Sequence, residues 1–348
     1  MNFQLDSRLK LNYCPSVCEW LDASDGLFIV GTYELIESGE CPSLTNSRLG
    51  SLVLVKHAQV IADYQCENGG VFDLKVAERH LKHQLCVAHS NGVFAVYWIH
   101  NENISLSFAV NTHSSMLTCL NYCFDNETSL FFLGDASGFM HIYREKDQLL
   151  KTAISKFDYP IWCTHILPLS PQTVLICIGT EDGFFKIIAF HITKVTHRIV
   201  QANNDSQSGV TTISSIDIKN EYCAAMQLFV GSYDEHIRFY TLKIDCESED
   251  FSNIKLNITL TNCLKISGGG IWRITPIFSM DELYLLVSGM YSGAHIVKDA
   301  KTILTIKNFD KTKDEKEHLV YASLIDKSLS NLVICSFYQK TVYYFTQK

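Results

Sequence analysis

Apolar and polar residues alternate with a period of two through much of the chain, and short turns rich in Gly, Asp, Asn and Ser interrupt the alternation. The pattern is clearest at Gly231-Ser232-Tyr233-Asp234-Glu235-His236-Ile237-Arg238-Phe239-Tyr240. A mostly apolar run at 226–230 enters a polar turn. Beyond it Ile237 and Phe239 fall on one side, and His236, Arg238 and Tyr240 on the other. Successive side chains of a strand point to opposite faces, so this pattern around a Gly/Asp turn predicts a β-hairpin. Gly231 is expected to let the chain turn without a Cβ clash, and Asp234 to accept backbone N–H groups inside the turn.

Six more stretches follow the same plan. Residues 27–33 lead to 50–55, 85–92 to 93–97, 130–138 to 139–143, 174–183 to 184–188, 284–293 to 294–297, and 332–338 to 341–345. The copies recur every 45 to 58 residues or so, about the length of a WD-type propeller blade. Strand-like runs precede them at 71–77, 116–123, 161–167, 210–218, 271–278 and 319–325, and every copy but the last is followed by one more. The expected fold is therefore all-β: a single seven-bladed WD40 β-propeller spanning residues 1–348. The last copy has no room for a fourth strand, whereas residues 3–11 form a spare strand ahead of the first. That N-terminal strand is expected to complete the last blade and close the ring, since an open ring leaves two unpaired edges. Irregular stretches at 37–47, 203–208, 245–252 and 311–318 read as surface loops.

In a four-stranded meander, the turn between the second and third strands lies at the end where the chain enters the blade. Tyr33, Asp135, Asp182, Tyr233, Tyr291 and Tyr338 are thus expected on one face with Gly69-Gly70, Trp162, Gly268–Gly270, Trp272 and Arg273. Glycine clusters and turn aromatics are the features core packing explains least, and binding sites are commonly built from loops on a rigid scaffold.

Composition narrows the class. Of the 348 residues, 47% are hydrophobic and 19% charged, which suits a well-buried globular fold. The net charge of −8 comes with no basic stripe, which argues against a nucleic-acid ligand. Thirteen Cys without a CxxC pair read as reduced thiols, and no apolar segment opens the chain, so a cytoplasmic location is expected. No run reaches the eighteen or so apolar residues of a membrane span. A monomer is expected, with no cofactor.

The Gly-Ser-Tyr-Asp-Glu-His turn at 231–236, the Gly268-Gly-Gly-Ile-Trp-Arg273 entry, the Gly31-Thr-Tyr-Glu-Leu35 turn with Arg48-Leu-Gly50, Leu319-Val-Tyr321 and the terminal Cys335-Ser-Phe-Tyr338 occur in this order. Together they resemble the diphthamide biosynthesis WD-repeat family of diphthine methyl esterases, over about residues 19–345. Thr275-Pro276-Ile277 stands where that family commonly has Trp-His-Pro, and Phe239-Tyr240 and Tyr343-Tyr344 stand where Trp-Asp is usual. The resemblance implies hydrolysis of the carboxyl methyl ester of methylated diphthine on translation elongation factor 2, giving diphthine and methanol.

Ester hydrolysis needs an activated nucleophile or water and donors for the oxyanion. No G-x-S-x-G or H-E-x-x-H motif occurs, His80-Leu-Lys-His83 has no companion ligand, and no metal is expected. Turn chemistry alone accounts for Ser232 and Asp234 but does not call for the imidazole of His236. His236 is thus the candidate general base, with Asp234 or Glu235 orienting it. Gly268–Gly270 offer backbone N–H groups to an oxyanion or carboxylate, or else permit a tight crossover. Arg273 is a candidate for the ester or for acidic residues of the protein substrate. Diphthine carries a quaternary ammonium, for which Tyr33, Trp162, Tyr233, Trp272, Tyr291 and Tyr338 are candidate cage residues. The competing class is a non-catalytic WD40 scaffold that docks elongation factor 2 or its modifying enzymes. No glycine-rich strand–helix turn supports a methyl-donor site.

Overall fold

The computed structural model describes residues 1–36, 48–79, 82–112, 115–125, 128–145, 149–218, 225–245, 254–307 and 318–348. Seven four-stranded antiparallel sheets form a seven-bladed β-propeller. Blade 1 comprises Pro15–Asp22, Leu27–Thr32, Ser51–Lys56 and Gln59–Gln65 from the channel outward. Blades 2 to 6 begin at the channel with Val71–Arg79, Leu117–Asp125, Ile161–Ser170, Val210–Ile218 and Arg273–Ser279, respectively. Blade 7 begins with Val320–Ile325, and its outermost strand is the N-terminal Phe3–Lys10. That strand pairs antiparallel with Thr341–Gln347, so the predicted closure is present. Among the predicted loops, 203–208 is described, and its Asp205 accepts the Tyr240 hydroxyl at 2.8 Å. The others lie wholly or mostly outside the described residues.

Period-two alternation places the core between blades. Along Leu27–Thr32, Ile29 packs toward blade 2, while Phe28 and Val30 pack toward blade 7. Every seam repeats this, giving seven interblade clusters of buried apolar side chains. Each blade thus contributes to two seams, and the ring closes through apolar contact as well as hydrogen bonds.

The repeat glycine has a different role from the one expected. Gly231 does not adopt a positive φ; in its turn Glu235 does, at 70°. A Cβ on Gly231 would lie 2.6 Å from the Ile271 side chain of blade 6. The glycine is required by the close approach of the next blade, not by the turn.

The entry to six of the seven blades carries a β-bulge, where two residues of the innermost strand oppose one on its neighbour. The extra residue is Ser16, Phe72, Thr118, Trp162, Thr211 and Tyr321 in blades 1, 2, 3, 4, 5 and 7. In blade 6 Trp272 holds this place, donating its N–H to the carbonyl of Ser288, the residue Arg273 pairs with. Hydroxyl and aromatic residues therefore alternate around blades 1 to 6. Each hydroxyl donates to the carbonyl of the residue just before the next blade's aromatic: Ser16 to Val71 at 2.6 Å, Thr118 to Ile161, and Thr211 to Ile271. These bonds fix the backbone from which Phe72, Trp162 and Trp272 project.

Candidate functional site

The bulges of blades 2, 4 and 7 and the matching position in blade 6 bring four aromatic residues together over one end of the channel. Trp272 stacks on Tyr321 with centroids 4.6 Å apart, and contacts Phe72 and Trp162 at 6.3 Å each. The turn residues surround this floor. Tyr233 lies 6.2 Å from both Trp162 and Trp272, and Tyr33 lies 6.1 Å from Phe72 and 6.2 Å from Phe337. Tyr338 packs edge-on against Phe337 and hydrogen-bonds with Tyr291, which itself lies over Gly269. All six predicted cage residues are thus on one face, joined by Phe72, Tyr321 and Phe337. Phe72 and Tyr321 were missed because a lone aromatic in an alternating strand reads as core, and Phe337 because it is a buried turn residue beside the more exposed Tyr338. The bulge that re-aims Phe72 and Tyr321 leaves no mark in the hydrophobic pattern.

The rings are mostly half-buried, with Tyr291 and Tyr338 the most open at 42% and 57%. Burial pushes the Tyr233 and Tyr321 hydroxyls up, so both stay neutral. Tyr33 accepts a hydrogen bond from Arg48 Nε at 3.2 Å. The indole of Trp162 donates to Glu181, whose carboxylate also borders Tyr233. Among the described residues no lysine or arginine pairs with Glu181. An exposed carboxylate against two aromatic rings, Trp162 and Tyr233, forms a surface complementary to an organic cation.

Beneath the floor lies a polar cavity of about 180 Å³ in the channel, reaching from Trp162 and Trp272 to Lys75 and His165. Arg273 Nη2 bonds Asp73 Oδ1 at 2.7 Å, and Asp73 Oδ2 accepts the Leu120 N–H at 2.9 Å. Lys75 pairs with Glu19 at 2.5 Å. Burial and the nearby Lys75 ammonium push His165 down to about 4, so it is neutral near pH 7. Arg273 is at the channel as predicted, but its charge is answered inside the protein by Asp73 instead of being offered to a ligand.

The proposed catalytic cluster divides on inspection. Asp234 accepts from Arg238 at 2.6 and 3.1 Å, from Gln207 N–H at 2.8 Å, from His236 N–H at 3.1 Å and from the Ser232 hydroxyl. Burial pushes its carboxyl up, but the Arg238 and Ser232 hydrogen bonds outweigh this and hold it well below the usual range. Asp234 is the hub of its turn, not a proton acceptor near neutrality. Glu235 does not touch His236. Its Oε1 accepts the N–H groups of Gly268 and Gly269 at 2.8 and 3.0 Å, and these bonds lower its pKa. Two of the three glycine donors expected to serve an oxyanion, those of Gly268 and Gly269, are therefore engaged by the protein's own carboxylate. Gly268, Gly269 and Gly270 all have positive φ, at 127°, 114° and 98°, a run other residues do not sustain.

His236 keeps the features of a base. Its Nδ1 lies 2.7 Å from the Asp234 carbonyl, which only accepts, so Nδ1 carries the proton and Nε2 presents its lone pair. Asp234 orients the ring through this carbonyl, and its Oδ1 is 3.4 Å from Nδ1. Among the described residues, no group of three His, Cys, Asp or Glu side chains is arranged to hold a metal ion, and no helix is long and apolar enough to cross a membrane.

No protein-family model matches the chain, and no curated protein matches it.

Proposed function

We propose that this chain hydrolyses the carboxyl methyl ester of methylated diphthine on translation elongation factor 2. The carrying observation is the aromatic floor beside Glu181, which suits the trimethylammonium of that side chain. Aromatic faces hold such cations at about 0.5–2 kcal/mol per good contact, and a neighbouring carboxylate adds Coulombic attraction. The ordered set of sequence motifs supports the same reading.

In this reading, His236 Nε2 takes a proton from water as the water oxygen adds to the ester carbonyl. The tetrahedral intermediate expels methoxide, which takes the proton back from His236 as methanol; the carboxylic acid left behind gives its proton to solvent and becomes the carboxylate. The Asp234 carbonyl holds the imidazole in the tautomer this step needs.

A second reading is favoured by one observation: Asp234, Glu235 and the Gly268 and Gly269 N–H groups are spent on one another and on the turn. A platform that binds the modified histidine without cleaving it needs only the aromatic floor. Incubating the purified protein with methylated elongation factor 2 separates the two. Methanol release at a rate proportional to protein concentration supports the esterase; saturable binding without methanol supports the platform.

A further inference from the structure

The opposite end of the ring carries a second surface. The innermost strands run from the aromatic face to this end, and there the channel opens into a groove of about 850 Å³ between blades 4, 5 and 6. Ile166, Pro168, Ile216, Met226, Pro276 and Phe278 line it. Phe278 is 55% exposed, and Met280, at the tip of the adjoining turn, is 93% exposed. Met280 and Asp281 both adopt positive φ, at 49° and 63°, which is unusual for a side chain as large as Met. Two exposed carboxylates, Asp217 and Asp281, also line the groove, and among the described residues neither has an ion-pair or hydrogen-bond partner.

We infer that this groove docks a basic amphipathic segment of a protein partner, apolar side chains in the groove and Lys or Arg at Asp217 and Asp281. Charge complementarity selects the occupant: the groove's apolar floor is flanked by negative charge that no described residue compensates. Pro168 and Pro276 select the mode. Both lie on innermost strands, whose free edges face the channel, and a proline has no N–H to give an added strand. Docking is therefore through side chains, as a helix docks, not by extending a sheet. The surface is separate from the aromatic face, so it leaves that face open while a partner is held.

Two fluorescent fourteen-residue peptides with helical amphipathic spacing, one of Leu and Lys and the other of Leu and Glu, are titrated with the full chain. The Leu–Lys peptide is expected to bind saturably, and the Leu–Glu peptide at least about tenfold more weakly. Replacing both carboxylates, D217N with D281N, is expected to weaken the Leu–Lys peptide about tenfold, and Phe278→Ser similarly, while Asp6→Asn on the outer strand of blade 7 leaves it unchanged. Equal binding of the two peptides, no binding, or insensitivity to D217N/D281N overturns the inference. So does a concentration-dependent dimer abolished by Phe278→Ser, which makes a second copy of the chain the occupant.

Discussion

Arg273 and Asp73 pair across the channel from blades that are not neighbours, and the aromatic residues just before them, Trp272 and Phe72, touch as well. The same two chain entries thus contribute an ion pair inside the channel and a ring contact at its mouth. Among the described residues Arg273 Nε is buried without a hydrogen-bond partner, so its charge depends heavily on Asp73. Asp73→Ala is expected to cost about 3 kcal/mol, because it leaves the guanidinium without its carboxylate. The double replacement Asp73→Leu with Arg273→Met is expected to cost clearly less than Asp73→Ala alone. Urea denaturation of the three proteins measures both.

Asp234 makes part of the stability pH-dependent. Its folded pKa lies below the ordinary carboxyl value of 3.8. The stability it contributes is therefore fully present above about pH 5 and is lost as pH falls below 4 toward the folded value. Asp234→Asn is expected to lower stability by about 2 kcal/mol at pH 7, with the gap to the parent protein closing on acidification. Thermal unfolding between pH 3 and 7, roughly the span over which such a carboxyl changes charge, follows that gap. A gap that stays constant across the range places the effect elsewhere in the turn.

The hydroxyl at the bulges of blades 1, 3 and 5 positions the aromatic of the next blade. Thr211→Val removes the donor to the Ile271 carbonyl while keeping the side-chain shape. The expected loss is about 1 kcal/mol, with a change in the near-UV circular dichroism of the Trp272 cluster. Unchanged aromatic dichroism means the bridge supports the fold alone.

On the esterase reading, His236→Ala is expected to lower kcat at least about 100-fold with little change in KM. Trp162→Leu and Glu181→Gln are expected to raise KM about 3- to 10-fold each, with kcat retained. Methanol release measured against substrate concentration separates the two effects. Full kcat in the His236 variant removes that residue from the chemistry.

The N-terminal strand is the seam of the ring. Deleting Phe3–Lys10 exposes the edge of Thr341–Gln347 and strips Leu5 and Leu9 from the flanking clusters. Higher-order association in light scattering is expected, with a lowered Tm.

Blade number, closure and the shared face of Tyr33, Trp162, Tyr233, Trp272, Tyr291 and Tyr338 were legible in the sequence. They follow from a period of two, a regular repeat and the geometry of a meander. What was not legible depends on distance along the chain. Nothing near Arg273 announces Asp73, 200 positions away, and nothing near Glu235 announces the glycines 33 and 34 positions on. The role of Gly231 was misread because a glycine in a turn suggests a dihedral requirement, whereas the constraint comes from Ile271 of another blade.

A strict two-step pattern cannot close on an odd-membered circle. Serine or threonine and an aromatic residue take turns through six blades, and the seventh must break parity. The mismatch falls at Trp272 and Tyr321, successive large rings that face each other in a stack instead of being spaced by a small residue. That defect gives an otherwise near-symmetric rosette a heavy side, so a guest approaching along the axis meets one direction unlike the rest and has a single way to land.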